Sequence, residues 1–147
     1  MMPEQPPLLL VCVDLEAGSA NLVKYAARQA RSCGSSLRVL YVSPSRSAGR
    51  DVREQALARL HQLIDGPFSG LDIDAVDVEA GIAEEVIVEY ARRHHVGQIL
   101  LGRRHRSTVE RIYVGSTTSA VISLARRPVL VVPVDVTGDR NTSDSGT

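Results

Sequence analysis

The sequence predicts an α/β fold, a doubly wound five-stranded parallel sheet with helices on both faces. Short apolar runs alternate with amphipathic stretches along most of the 147 residues. The apolar runs have the length and composition of strands buried on both faces, and the amphipathic stretches repeat their apolar residues at helical spacing. Because strand and helix alternate, the strands are expected to be parallel and joined by helical crossovers.

The first half of the chain contains three of the predicted strands. Leu8–Val13 is a continuous apolar run, as expected for a central strand. Leu71–Val78 instead alternates apolar and acidic residues, which indicates a strand with one wet face near a sheet edge. The remaining elements of this half are the helix Ala17–Ser32, ended by Cys33-Gly34, the strand Leu37–Val42 and the helix Asp51–Ile64.

The second half continues the alternation up to a polar tail. The predicted elements are the helix Ile82–His94, the strand Gln98–Leu101, a polar loop from Arg103 to about Val114, a helix from Gly115-Ser116 to Leu124, and the strand Val129–Val132. Residues 137–147 have almost no apolar content, which is typical of a disordered tail. We therefore expect one domain over residues 1–136.

Composition excludes several classes of function. The formal net charge is zero, so no overall charge favours nucleic acid or an anionic membrane. Aromatic residues make up only 3% of the chain, which leaves few side chains on which the bases of a single-stranded nucleic acid could stack. No apolar run approaches the ~20 residues of a membrane span, and the N-terminus lacks the pattern of a signal peptide. Cys12 and Cys33 do not make a disulfide framework. We expect a cytoplasmic protein without membrane insertion or nucleic-acid binding.

The strongest functional signal lies between Gly102 and Thr118. Ligands of parallel sheets bind beyond the carboxyl ends of the strands, where Asp14, Val42 and Gly102 are predicted to lie. Gly115-Ser116 opens a helix whose first N–H groups lack helical partners and can hold an anion. The intervening loop is rich in basic side chains, namely Arg103, Arg104, His105, Arg106 and Arg111. Together these features predict a phosphate-bearing ligand.

Several of these segments together resemble the universal stress protein family. They are Val11–Asp14, Leu40–Pro44, the stretch from Ile99 to Gly102 with Gly115-Ser116 after a twelve-residue gap, and Ala125–Pro133. The resemblance covers about residues 6–134 and implies a Rossmann-like sheet with strand order 3-2-1-4-5. It also implies a homodimer formed through the last strand, Val129 to Val134.

The resemblance further implies an adenine-nucleotide ligand, ATP or AMP, and a set of binding residues. Asp14 and Val42 would face the adenosine, the residues from Leu101 onward would surround the ribose and phosphates, and the Gly115-Ser116 corner would bind phosphate. The complete set is Val13, Asp14, Val42, Leu101, Gly102, Arg103, His105, Arg106, Gly115, Ser116, Thr117 and Thr118.

The chain departs from the family pattern at His105, which stands where the second glycine of a G-x-x-G motif is expected. Its side chain could intrude and prevent triphosphate binding, in which case AMP or a cyclic nucleotide would fit. Alternatively it could turn outward or donate to a phosphate together with Arg104 and Arg106. Asp14 could assist in holding Mg²⁺.

The sequence contains no convincing catalytic set. His61, His94 and His95 have no evident nucleophile or metal partner, and the spacing of the acidic residues from Asp72 to Asp77 is typical of a wet strand face. The favoured hypothesis is a regulatory module that binds an adenine nucleotide and changes its contacts with a partner not identified by the sequence. The alternatives are a nucleotide-free dimeric adaptor and a slow nucleotide hydrolase with a metal at Asp14.

Overall fold

The computed structural model describes residues 5–44, 49–103 and 115–134, and these residues follow the predicted order of elements. The strands and helices alternate from the first element to the last. They are β1 (Leu9–Cys12), α1 (Ser19–Cys33), β2 (Leu37–Ser43), α2 (Arg50–Ile64), β3 (Ile73–Ala80), α3 (Ala83–Arg93), β4 (Gln98–Arg103), α4 (Ser116–Leu124) and β5 (Val129–Pro133).

The strands form one parallel sheet in the order β3-β2-β1-β4-β5, which confirms the expected topology. β1 is central, with Leu9 paired to Leu37 of β2 on one side and to Gln98 of β4 on the other. The chain adds strands in one direction up to β3, and then returns past β1 to add β4 and β5. Strand order therefore reverses between β1 and β4, and a crevice forms beyond the carboxyl ends of such neighbours.

Helices cover both faces of the sheet, so the central strand has no wet side. Val11 packs on the α1 and α2 face, together with Leu60 of α2. Leu10 points to the opposite face and packs with Tyr90 of α3 and Val121 of α4. All five side chains are completely buried. This double burial explains why β1 is a continuous apolar run rather than an alternating one.

Two elements begin two residues later than the sequence predicts. The helix expected from Ala17 starts at Ser19, because Gly18 has φ 97° and Leu15 has φ 62°, and these left-handed residues cannot continue a right-handed helix. The strand expected from Leu71 starts at Ile73, because the N–H of Leu71 donates to the carbonyl of Phe68 at 3.0 Å in the preceding turn.

The two outer strands are β3 and β5, so the edge position predicted from the alternating pattern of β3 is confirmed. The predicted end of α1 is also confirmed, since Gly34 follows it with φ 71°. Within the described ranges, no helix combines the length and the apolar character needed to cross a membrane. The tail predicted over residues 137–147 lies outside the described residues.

Candidate functional site

A cleft of about 200 Å³ lies beyond the carboxyl ends of β1 and β4. It occupies the reversal point of the sheet, and the beginnings of α1, α3 and α4 also contribute side chains to it. The position is the one that parallel α/β sheets use for ligands, because loops and helix N-termini converge there.

Most of the described residues predicted for the site meet in this cleft. Seven of them line it, namely Val13, Asp14, Val42, Leu101, Gly102, Thr117 and Thr118. Arg103 and Ser116 are next in the chain to the lining residues Gly102 and Thr117, and Gly115 precedes Ser116, but these three do not line the cleft themselves. His105 and Arg106 lie outside the described residues, as does the rest of the predicted basic loop.

One end of the cleft is apolar. Its side chains come from the ends of β1, β2 and β4 and from the first two turns of α3, and they are Cys12, Leu40, Val42, Ala83, Ile87 and Leu101. Burial raises the pKa of the Cys12 thiol, so the thiol stays neutral at physiological pH. This end can therefore accept a flat apolar group such as a nucleobase without placing a charge against it.

Asp14 supplies a carboxylate to the lining of the cleft. Its Oδ1 accepts hydrogen bonds from the N–H of Glu16 at 2.9 Å and from the hydroxyl of Ser19 at 3.2 Å. The Ser19 hydroxyl also lies 2.8 Å from the carbonyl of Glu16. The carboxylate is thereby held by the turn that opens α1, which fixes its direction relative to the cleft.

The N-terminus of α4 provides the complementary donors. Gly115 is the N-cap of α4, no side chain among the described residues caps the helix, and no acidic residue stands in its first turn. The backbone N–H groups and the helix dipole there favour an anion. Thr118, in this first turn, is 8% exposed and lines the cleft with Thr117. Anion-binding groups thus face the same space as the apolar end.

Gly115 has no structural requirement for glycine among the described residues. Its φ of −59° is available to any residue, and a Cβ added there would meet nothing within 4 Å. Glycine lets a ligand approach the backbone closely. Gly115 is therefore suited to a close contact with a phosphate.

Sequence reasoning missed several residues of the cleft. They include Cys12, Gly18, Ser19, Ala83, Ile87 and Val134. Gly18-Ser19 repeats the glycine-hydroxyl pair of Gly115-Ser116 at a helix start, and this pattern could have been noticed. The others carry no local signal. Among the described residues, no group of three His, Cys, Asp or Glu side chains could hold a metal ion.

Comparison with protein families identifies a match over most of the chain. A model of the universal stress protein family matches residues 8–133. Over 96 residues the chain is 30% identical to the sensor protein KdpD of Escherichia coli strain K12, a match that covers 65% of the chain and 10% of KdpD. The chain spans about a tenth of the length of the curated relatives it matches.

Solved structures share the fold. A universal stress protein in complex with cAMP has a TM-score of 0.63 and 17% identity, over 89% of this chain and 99% of that chain. The universal stress protein from Archaeoglobus fulgidus in complex with dAMP has a TM-score of 0.62 and 19% identity, over 86% of this chain and 97% of that chain. At these identities the likeness concerns the fold alone.

Proposed function

The chain belongs to the universal stress protein family, and from this premise we propose that it is a regulatory module that binds an adenine nucleotide in the cleft and responds by changing its contacts with a partner. One observation carries the proposal. An apolar end, a fixed carboxylate and a helix N-terminus that no described side chain caps meet at the reversal point of the sheet. Base, ribose and phosphate need these three environments.

The apolar end is suited to the adenine. Val42 lies near the carboxyl end of β2 and Leu101 near that of β4, on either side of β1. Ile87 of α3 packs in the same apolar cluster. Buried apolar walls contribute to affinity by removing the faces of the base from water. The cAMP and dAMP complexes of two universal stress proteins with this fold support an adenine nucleotide as the ligand class.

The polar residues of the cleft are suited to the sugar and phosphate. Asp14 is a hydrogen-bond acceptor for ribose hydroxyls. Gly115 and the N–H groups that follow it, with the hydroxyls of Thr117 and Thr118, are donors for a phosphate. A monophosphate requires only these described groups, so we propose AMP or a cyclic nucleotide as the first ligand to test. Binding of ATP or Mg²⁺ would depend on residues around His105, outside the described part of the chain.

We further propose that the protein forms a homodimer by pairing through β5. We also propose that it binds its nucleotide without catalysing a reaction. β5 is an edge strand made of Val129, Leu130, Val131, Val132 and Pro133. An apolar edge invites pairing with a second strand. The regulated partner and a cytoplasmic location remain predictions from the sequence.

The first experiment looks for bound nucleotide and for stabilisation by added nucleotide. The chain has four Tyr and no Trp, so adenine carried through purification would raise the absorbance at 260 nm relative to 280 nm. Thermal unfolding is then compared with ATP, ADP, AMP and cAMP. A ligand present at 100 times its dissociation constant should add about 2.7 kcal/mol to the free energy of unfolding. If none of the four shifts the melting temperature, the proposal fails and the nucleotide-free adaptor is favoured.

A charge placed at Gly115 tests the location of the phosphate. Gly115→Asp should keep or slightly raise the melting temperature, because the backbone geometry is ordinary, the space is open and Asp is a good N-cap. It should weaken AMP binding at least about tenfold, because a carboxylate would face the phosphate. Gly66→Asp is the matched control, since a Cβ at Gly66 also meets nothing within 4 Å. Equal AMP affinity in both variants would place the phosphate elsewhere.

Two further variants address the choice of ligand and the hydrolase alternative. His105→Gly should raise ATP affinity if the imidazole obstructs the triphosphate, and unchanged affinity would show that it does not. Nucleotide turnover with Mg²⁺ that disappears in Asp14→Ala would favour the slow hydrolase over the binding module.

A further inference from the structure

Val134 occupies an unusual place at the end of the sheet edge. It follows β5 directly, yet it is 3% exposed. Its N–H donates to the carbonyl of Arg103 at 2.9 Å, so hydrogen bonding to β4 continues past Pro133. Its side chain lines the cleft. The outer strand of the sheet thus ends inside the candidate site.

Two glycines allow this placement. A Cβ at Gly18 would lie 2.5 Å from the carbonyl oxygen of Val134 and 3.1 Å from its Cγ2. A Cβ at Gly102 would lie 3.2 Å from the same Cγ2. Val134 therefore packs directly against the backbone at Gly18 and Gly102. A side chain at Gly18 would collide with the Val134 carbonyl, and one at Gly102 would crowd its Cγ2.

The contact at Gly18 leads directly to the carboxylate of the site. Gly18 precedes Ser19, whose hydroxyl lies 3.2 Å from Asp14 Oδ1. A shift of Val134 would move Gly18, and with it the turn that orients Asp14. The same shift would move the Gly102 end of the cleft.

We infer that Val134 is a positioning residue that links nucleotide binding in the cleft to strand pairing along β5. This inference depends on the proposed nucleotide and on the proposed dimer. Pairing along β5 fixes the position of the strand end and therefore of Val134. The cleft then already has the shape that binds the nucleotide. A bound nucleotide fixes the same cleft shape and the same position of Val134, and it therefore favours pairing along β5. Because such coupling is reciprocal, each event should strengthen the other by the same factor, about fivefold or more.

The experiment measures both equilibria on the same preparations. The dimer dissociation constant is measured by analytical ultracentrifugation with and without saturating AMP. The AMP dissociation constant is measured by calorimetry at protein concentrations below and above the dimer dissociation constant. AMP should tighten the wild-type dimer about fivefold, and the dimer should bind AMP tighter by the same factor.

The variants separate positioning from general packing. Val134→Ala removes a side chain that lines the cleft, so AMP binding should weaken. The remaining AMP affinity should no longer depend on dimerisation, with a coupling factor near one. Val134→Thr keeps the branched side chain and should restore most of the coupling even if it lowers the melting temperature. Val132→Ala is the matched control, because the Val132 side chain is also buried in the core but does not line the cleft. It should retain the coupling.

Each contrary outcome has a distinct meaning. AMP that binds monomer and dimer equally well would overturn the inference and leave the proposed nucleotide function standing. A loss of coupling in Val132→Ala equal to that in Val134→Ala would overturn the role of Val134. A chain that binds no AMP, or that never dimerises, would overturn the inference together with the proposal on which it rests.

Discussion

The two edges of the sheet differ in chemistry. β3 places Asp74, Asp77 and Glu79 along one edge. β5 forms the other edge and carries only aliphatic residues and Pro133. An exposed edge can pair with a strand of another chain, and charged residues on an edge oppose such pairing. The difference supports the proposal that β5, and not β3, pairs with a second chain.

Two charged residues of the β3 edge, Asp74 and Asp77, belong to a hydrogen-bond network around Tyr90. The Tyr90 hydroxyl donates to Asp77 Oδ2 at 2.5 Å and accepts from Arg38 Nη1 at 3.0 Å, and Arg38 Nε donates to Asp74 at 2.9 Å. Burial, together with the hydrogen bond to Asp77, raises the pKa of Tyr90 to about 12. The hydroxyl therefore stays protonated near neutral pH, and the network anchors the edge to α3.

The β5 edge lacks a comparable set of charges among the described residues, and it ends at the cleft through Val134. One edge is thus held to its own helix, while the other is attached to the candidate site. A partner that pairs with β5 would contact a strand whose end lines the ligand cleft. This contrast predicts effects that differ in kind for the two edges.

The largest expected effect is on association. Val131→Arg should convert the proposed dimer to monomer or promote aggregation, because it places a charge in the middle of the apolar edge. Ala80→Arg adds the same charge at an exposed position of β3 and should leave the association state unchanged. Light scattering on a sizing column measures both. A dimer that persists in Val131→Arg would remove β5 from the interface.

A smaller effect is expected on stability at the β3 edge. Tyr90→Phe removes one hydroxyl and leaves Asp77 and Arg38 with one hydrogen bond fewer, so the free energy of unfolding should fall by about 1–3 kcal/mol. Urea unfolding at neutral pH measures it. Tyr25→Phe is the matched control, because Tyr25 is a partly buried tyrosine of α1 whose ring lies beneath Arg28. Equal losses in the two variants would contradict a role for the network.

The smallest expected effect is on pH dependence. Burial lowers the pKa of His94 at the end of α3, and the positive charges of Arg38 and Arg93 lower it further, against the opposing charges of Asp77 and Glu79. The unfolded chain, with an imidazole pKa of about 6.5, then takes up the proton more readily than the folded chain. Stability from this source is full at neutral pH and is lost as the pH falls below about 6.5.

Replacement of the imidazole isolates the contribution of His94 to the pH dependence of stability. His94→Gln should flatten the decline of the urea midpoint between about pH 7.5 and pH 5. His61→Gln removes an exposed histidine from α2 and is the matched control. A decline in His94→Gln as steep as in the unmodified chain would show that other groups cause it.

The sequence by itself determined the order of the elements and the nature of the edges. Continuous apolar runs distinguished the buried β1 from the alternating β3, because a strand covered on both faces has no polar position. Gly34 ended α1 as expected, since glycine readily takes the left-handed conformation. Asp14 and Gly102 could be placed at the site because the carboxyl ends of parallel strands share one edge.

Only the tertiary structure decided which distant residues complete the cleft. Periodicity reports the face of its own element on which a residue lies, and it carries no information about the element that packs there. Periodicity marks Ile87 only as a residue of the helix predicted from Ile82 to His94, and Val134 only as the end of the last strand, Val129 to Val134. Their place in the cleft follows from the order of strands and from the close approach of Val134 to Gly18 and Gly102, which depends on how segments far apart in sequence pack.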